Sequence, residues 1–264
     1  MKMKGLAIIV VAVSLAAGAV LTSCEKNGGG LTPTPSGEKC KASDYKQVII
    51  DGKTWMAENY RCSNYASNSE AYKSGIRSVT STVPSDMYNA YFIDATNMDN
   101  WDKQSKQNAS YLTKEQIGKF GYLYNWAAAV GVADGCAKDV FVGDRQGICP
   151  NGWHIPSTSE FYSLKKFIDA QDGSGFSVAG KYLKSTTGWK AGNGNDFYKF
   201  NALPSGRSFN GNVEYIATDA WFWTSTYFSE GSQNAKFYTL GSTDIFQDGT
   251  LTKMYAFSVR CVKD

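Results

Sequence analysis

The sequence predicts an α+β fold: a twisted antiparallel sheet, one or two helices, and long loops that take up much of the chain. Three observations carry that prediction. The final third alternates apolar and polar residues in "DFYKFNALPSGRSFNG", "AWFWTST", "AKFYTL" and "MYAFSVRCV", runs of strand period separated by Gly, Asn and Ser. Upstream, "PSTSEFYSLKKFI" holds a helix start followed by apolar residues at helical spacing. Near the start of the body, "QVIIDGKTWMAEN" sets two β-favouring runs around Asp51-Gly52, a pair suited to the positive φ angles of a type I′ hairpin turn.

The chain begins with Lys2 and Lys4, an apolar run from Leu6 to Leu21, and small residues before Cys24. This is the pattern of a secretory signal over residues 1–23, too short and alanine-rich for a permanent span. The tetrad Leu21-Thr22-Ser23-Cys24 resembles the bacterial lipobox, in which the cysteine is lipidated and the preceding peptide removed. Lipidation at Cys24 implies a membrane anchor through the N-terminal lipid, and Glu25 does not argue for retention in an inner membrane. The expected location is therefore the outer membrane, on its periplasmic or cell-surface face. Residues 24–40 have no hydrophobic periodicity and read as a tether. About 16 flexible residues reach roughly 20 to 24 Å, so the body at 41–264 stays near the bilayer.

Loss of residues 1–23 removes two lysines and no acid, leaving 25 basic against 24 acidic side chains. That balance leaves no electrostatic footprint for nucleic acid. From Tyr65 to Tyr111 the chain is rich in Asn, Ser and Tyr without clear periodicity, and reads as an insertion. It is either a solvated loop or a variable surface presenting Tyr72, Tyr88, Tyr91, Phe92 and Trp101 to a partner. "GYLYNWAAAVG" from Gly121 reads as a short strand leading into a small helix.

In "GICPNGWHIPSTSEF", Ser157 and Glu160 fit a capping box, and Phe161, Leu164 and Ile168 form one apolar face of the helix behind it. That helix stops by "DGSG" at 172–175. Pro150 and Pro156 stiffen the corner holding His154, the chain's one histidine, which reads as a hydrogen-bonded structural side chain.

Five cysteines remain after Cys24: Cys40, Cys62, Cys136, Cys149 and Cys261. In an exported protein they allow two bridges and one leftover thiol. Cys136 and Cys149 bracket a 12-residue loop, whose closure stabilises by ~3 kcal/mol in the chain-entropy model, and are the expected pair. The pairing of Cys40, Cys62 and Cys261 stays open. No C-x-x-C spacing accompanies the single histidine, so neither a metal site nor a cofactor is expected.

Six motifs in order, "GKTWMAENYR", "GYLYNWAAAV", "GICPNGWHIPSTSEFYSL", "LPSGRSFNG", "FWTST" and "SVRCV", resemble the Fibrobacter succinogenes major paralogous domain of exported bacterial proteins. That family is in turn similar to the C-type-lectin-like fold shared with formylglycine-generating enzymes. The resemblance implies a mixed fold whose N- and C-terminal strands lie close together. The oxidative chemistry of those enzymes needs a closely spaced pair of reactive cysteines near the domain's end, where this chain has only Cys261. A Ser-His-Asp arrangement would have to use His154, already assigned to the turn.

The expected function is thus a non-catalytic binding or structural surface module, with a glycan or an envelope protein as partner. Trp221, Trp223, Arg207 and Asn210 are the ligand-binding candidates, since aromatic faces stack on sugars while guanidinium and amide groups bond hydroxyls or carboxylates. The competing reading places the tryptophans in the core. A surface-assembly component is the alternative function, and an enzyme related to the formylglycine-generating proteins a more distant one.

Overall fold

The computed structural model describes residues 40–66, 76–78, 90–132, 145–229 and 232–264. Cys24, the signal segment and the tether as far as residue 39 lie outside the described residues. The chain starts with β1 (Gln47–Ile50) and β2 (Lys53–Met56), joined by Asp51 and Gly52 at φ 50° and 72°, the two-residue hairpin the sequence predicts. There follow β3 (Arg77–Ser78), β4 (Tyr91–Asp94), α1 (Lys103–Asn108) and α2 (Lys114–Gly118). Next are β5 (Tyr122–Asn125), α3 (Trp126–Val130), β6 (Trp153–His154), α4 (Thr158–Asp172) and α5 (Ala179–Leu183). The final third is β7 (Ser205–Phe209), β8 (Asn212–Ile216), β9 (Ala220–Tyr227), β10 (Asn234–Leu240), β11 (Phe246–Thr252), β12 (Ala256–Phe257) and β13 (Val262–Lys263).

The α+β prediction holds, with more short helices than the one or two expected. The strands form a four-stranded sheet in the order β1-β2-β13-β6 and a nine-stranded sheet in the order β11-β10-β9-β7-β12-β5-β4-β3, with β8 beside β7. Pairing is antiparallel except between β3 and β4 and between β7 and β9. Val262 on β13 pairs with Trp55 on β2, so strands from the two ends of the body are neighbours.

The expected helix is α4. The Ser157 hydroxyl accepts from the Glu160 amide, the Glu160 carboxylate accepts from the Ser157 amide at 2.9 Å, and Gly173 ends the helix at φ 70°. Its buried stripe of Phe161, Leu164 and Ile168 packs with Trp55, Phe200, Phe222 and Tyr238. The opposite face of β9 serves a second cluster, in which Trp223 meets Phe237, Phe257 and the alanines of α3. Both faces of β9 are therefore covered.

The last segment keeps its predicted alternation without forming one continuous strand. Phe257, Val259 and Cys261 enter the cluster around Trp223, while Ala256 and Val262 enter two others. Between them Arg260 is wholly buried, and among the described residues no carboxylate forms a salt bridge with it. It donates to Asn59 Oδ1 (2.8 Å) and to the carbonyls of Met56, Phe200 and Asn201. Burial pulls its pKa down to about 9, against a weak pull upward from Asp196 and Glu58. The side chain ties the N-terminal strand, the 200–201 segment and the C-terminal strand together.

Two expectations need correction. Tyr91, Phe92 and Trp101 are not a presented surface: all three are buried, the first two within β4 of the large sheet. The stretch from Ala90 shows no alternation because both faces of β4 pack on apolar neighbours. Tyr72 and Tyr88 lie outside the described residues. The Cys136–Cys149 pair also fails, because Cys149 bonds Cys261 across 112 residues, with a Cα separation of 5.9 Å. Cys149 is enclosed in the cluster that Cys261 enters, so packing outranks proximity along the chain. Among the described residues a second bridge joins Cys40 to Cys62, while Cys136 lies outside them.

Candidate recognition site

Arg207 stands in the middle of an aromatic frame. Gly206, before it, adopts φ +66°, where a side chain would meet the Glu214 carbonyl 2.0 Å away, so only glycine lets β7 approach β8 this closely. Asn210 and Gly211, at φ 51° and 76°, turn the chain into β8 and place Glu214 opposite Arg207. On the other flank β9 brings up Trp221, and β12 pairs through Ala256 with Ser208, which sets Tyr255 alongside.

The Arg207 guanidinium carbon lies 4.7 Å from the Trp221 ring centre, 4.7 Å from that of Tyr255 and 4.8 Å from that of Tyr215. Cation–π attraction to three rings helps hold it in place. Its Nε is buried and 3.7 Å from Glu214 Oε2, too long for a hydrogen bond. The side chain as a whole is 15% exposed. The result is a guanidinium packed among three rings, on a side chain that keeps limited access to solvent.

Burial raises the pKa of Glu214, against the pull of Arg207. Burial likewise raises that of Asp219, opposed by its Thr218 hydrogen bond and by Arg207. The cation is thus balanced by acids rather than standing in a basic patch. A fork of this kind, with carboxylates beside it, can donate paired N–H groups to hydroxyl or carboxylate oxygens.

The structure brings Arg207 and Trp221 together and separates the other two candidates from them in role. Trp223 is a correction: it is fully buried, stacks on Phe257 at 4.0 Å and donates its Nε1 proton to the Tyr124 carbonyl, so no ligand can touch it. Asn210 is exposed at the hairpin tip and shapes the turn. Trp221 is packed against Phe237 and Phe257 as well as Arg207, which leaves little of its face for stacking. Sequence reading missed Tyr215 and Tyr255. The alternation of the last run puts Tyr255 on the face of Phe257, a usable signal, whereas Tyr215 reaches Arg207 through an unusual φ of 61° that no pattern announces.

His154 stands where the corner reading puts it. Its Nδ1 faces Asp264 Oδ1 at 2.7 Å and its Nε2 faces Glu160 Oε1 at 3.0 Å, so neither ring nitrogen is left to act as a base. Burial alone would raise the Glu160 pKa, but hydrogen bonds from His154, Lys53 and the Ser157 amide hold it at about 2. Among the described residues no group of three His, Cys, Asp or Glu side chains is placed to hold a metal ion.

No curated protein and no solved structure matches the chain. A family model described as the Fibrobacter succinogenes major domain matches residues 48–263, from β1 through β13, and includes the Arg207 frame and both ends of the Arg260 network. The chain therefore belongs to the Fibrobacter succinogenes major domain family.

Proposed function

We propose that the protein is an exported lipoprotein, anchored through Cys24 in the outer membrane, whose folded body is a non-catalytic recognition module for a glycan or an envelope protein. The observation that supports recognition is the Arg207 guanidinium, packed among three rings on a side chain that is still partly exposed. Tyr215, 44% exposed, supplies the adjoining aromatic surface in place of Trp223. Glu214 and Asp219 beside the cation favour an uncharged polyol over an acidic one, since an anionic ligand would meet two carboxylates as well as one guanidinium. A glycan array probed with the mature chain tests the reading: binding to neutral glycans that Arg207→Lys and Tyr215→Ala abolish supports it, and the absence of any ligand counts against it.

A second reading, surface assembly by strand addition, draws on β1. This strand ends the four-stranded sheet and leaves Ile49 74% exposed. A synthetic strand peptide that protects the β1 amides from hydrogen exchange would favour it.

A further inference from the structure

A second aromatic surface lies on the helical side of the molecule. Phe167 from α4, Tyr182 from α5 and the pair Phe197-Tyr198 from the following loop converge there. Tyr198 is their hub, with ring centres 5.0 Å from Phe197, 6.0 Å from Phe167 and 6.2 Å from Tyr182. Phe197 is 66% exposed, and Phe176, in the connection between α4 and α5, is 74% exposed. A large phenyl ring left in water beside other rings is costly and signals a contact surface.

The flanking charges point to the contact. Each of the three converging segments places a lysine next to its aromatic residue: Lys166 before Phe167, Lys181 before Tyr182 and Lys199 after Tyr198, all exposed. The acids nearby are hydrogen-bonded, and Asp172 and Asp196 also attract Lys181 and Lys199. Asp169 accepts from Lys165 and from the Val178 and Ala179 amides, Asp172 from the Tyr182 hydroxyl, and Asp196 from the Asn201 amide. The three lysines are exposed while Asp169, Asp172 and Asp196 are half-buried, so the more exposed charges beside the rings are cationic, the composition that settles at the boundary between acyl chains and anionic headgroups.

We infer that this face docks on the surface of an anionic bilayer, with Phe197 entering the headgroup region and Lys166, Lys181 and Lys199 meeting lipid phosphates. The inference rests on the reading of Cys24 as a lipid anchor, because a tether reaching roughly 20 to 24 Å keeps the body within range of the bilayer. Docking would then fix the orientation of the body on the membrane.

The test is sedimentation of the mature chain carrying Cys24→Ala, so that no acyl chain contributes, with vesicles of phosphatidylethanolamine and phosphatidylglycerol (about 7:3) and with phosphatidylcholine vesicles. Docking predicts binding to the anionic vesicles that weakens with salt, falls at least fivefold in Phe197→Ser and in Lys181→Glu/Lys199→Glu, and is unchanged in Tyr111→Ser, an exposed tyrosine outside the cluster. Thermal melts establish that each variant is folded. Absence of vesicle binding, binding indifferent to Phe197→Ser, or a concentration-dependent dimer that Phe197→Ser abolishes would overturn the inference, the last by giving the face to a second copy of the chain. Failure of acyl labelling at Cys24 is a separate result that removes the anchor and leaves the vesicle measurement standing.

Discussion

The Nε of Arg260 donates to Oδ1 of Asn59 at 2.8 Å, a contact 201 positions apart in the sequence and buried from solvent. Its guanidinium is surrounded by neutral acceptors and by the rings of Phe200 and Phe222, at 4.6 and 5.6 Å. A cation held by hydrogen bonds rather than by a counter-charge depends on the shape of the fork. Arg260→Lys keeps the charge and loses the fork, and Arg260→Met loses both. Each should lower the free energy of unfolding by ~3 to 5 kcal/mol, because buried acceptors are left unpaired. Urea denaturation checks this, and a loss below about 1 kcal/mol would remove Arg260 from its place as the tie between the chain's ends.

The bridge between Cys149 and Cys261 closes a loop of 112 residues, for which the chain-entropy model gives ~4 to 5 kcal/mol. Non-reducing peptide mapping should recover Cys149 with Cys261 and Cys40 with Cys62. Cys261→Ser should cost several kcal/mol in stability. Recovery of a peptide joining Cys136 to Cys149 would contradict the structure.

Glu160 titrates at about 2 in the folded chain, against an ordinary value of 4.5. A depressed carboxyl contributes stability that is present above the unfolded value and is lost as the pH falls from about 4.5 through about 2. The difference amounts to ~3 kcal/mol. Denaturation midpoints should therefore drop across that window, and Glu160→Gln should flatten the drop. A midpoint as steep in the variant as in the parent would assign the acid sensitivity elsewhere.

The helix cap offers a smaller change. Ser157→Ala removes the acceptor for the Glu160 amide and should lower stability by ~1 kcal/mol. An unchanged melting curve would show that the corner before α4 is held by its prolines and by the His154 contacts alone.

What the sequence disclosed was set by how far apart the deciding contacts lie. The Asp51-Gly52 turn, the Ser157 cap and the stripe from Phe161 to Ile168 are determined within a few residues, and all stand as read. The partner of Cys149 is determined by packing over 112 residues, and the nearer cysteine was the wrong guide. The run around Tyr91 and Phe92 has apolar neighbours on both faces, which erases the alternation that marks a half-buried strand. At the Arg207 frame, the guanidinium and Trp221 stood out by residue type. Type alone could not separate Trp221, at the surface end of the aromatic row, from Trp223, two residues on and wholly enclosed.

Recognition through the partly exposed Arg207 guanidinium is the central claim, and titration of the mature chain against the strongest neutral glycan of an array tests it most directly. Wild type and Arg207→Lys should melt within a few degrees of each other, while affinity falls at least tenfold in the variant because an ammonium cannot offer paired donors. Equal affinity in two equally folded proteins would contradict the account.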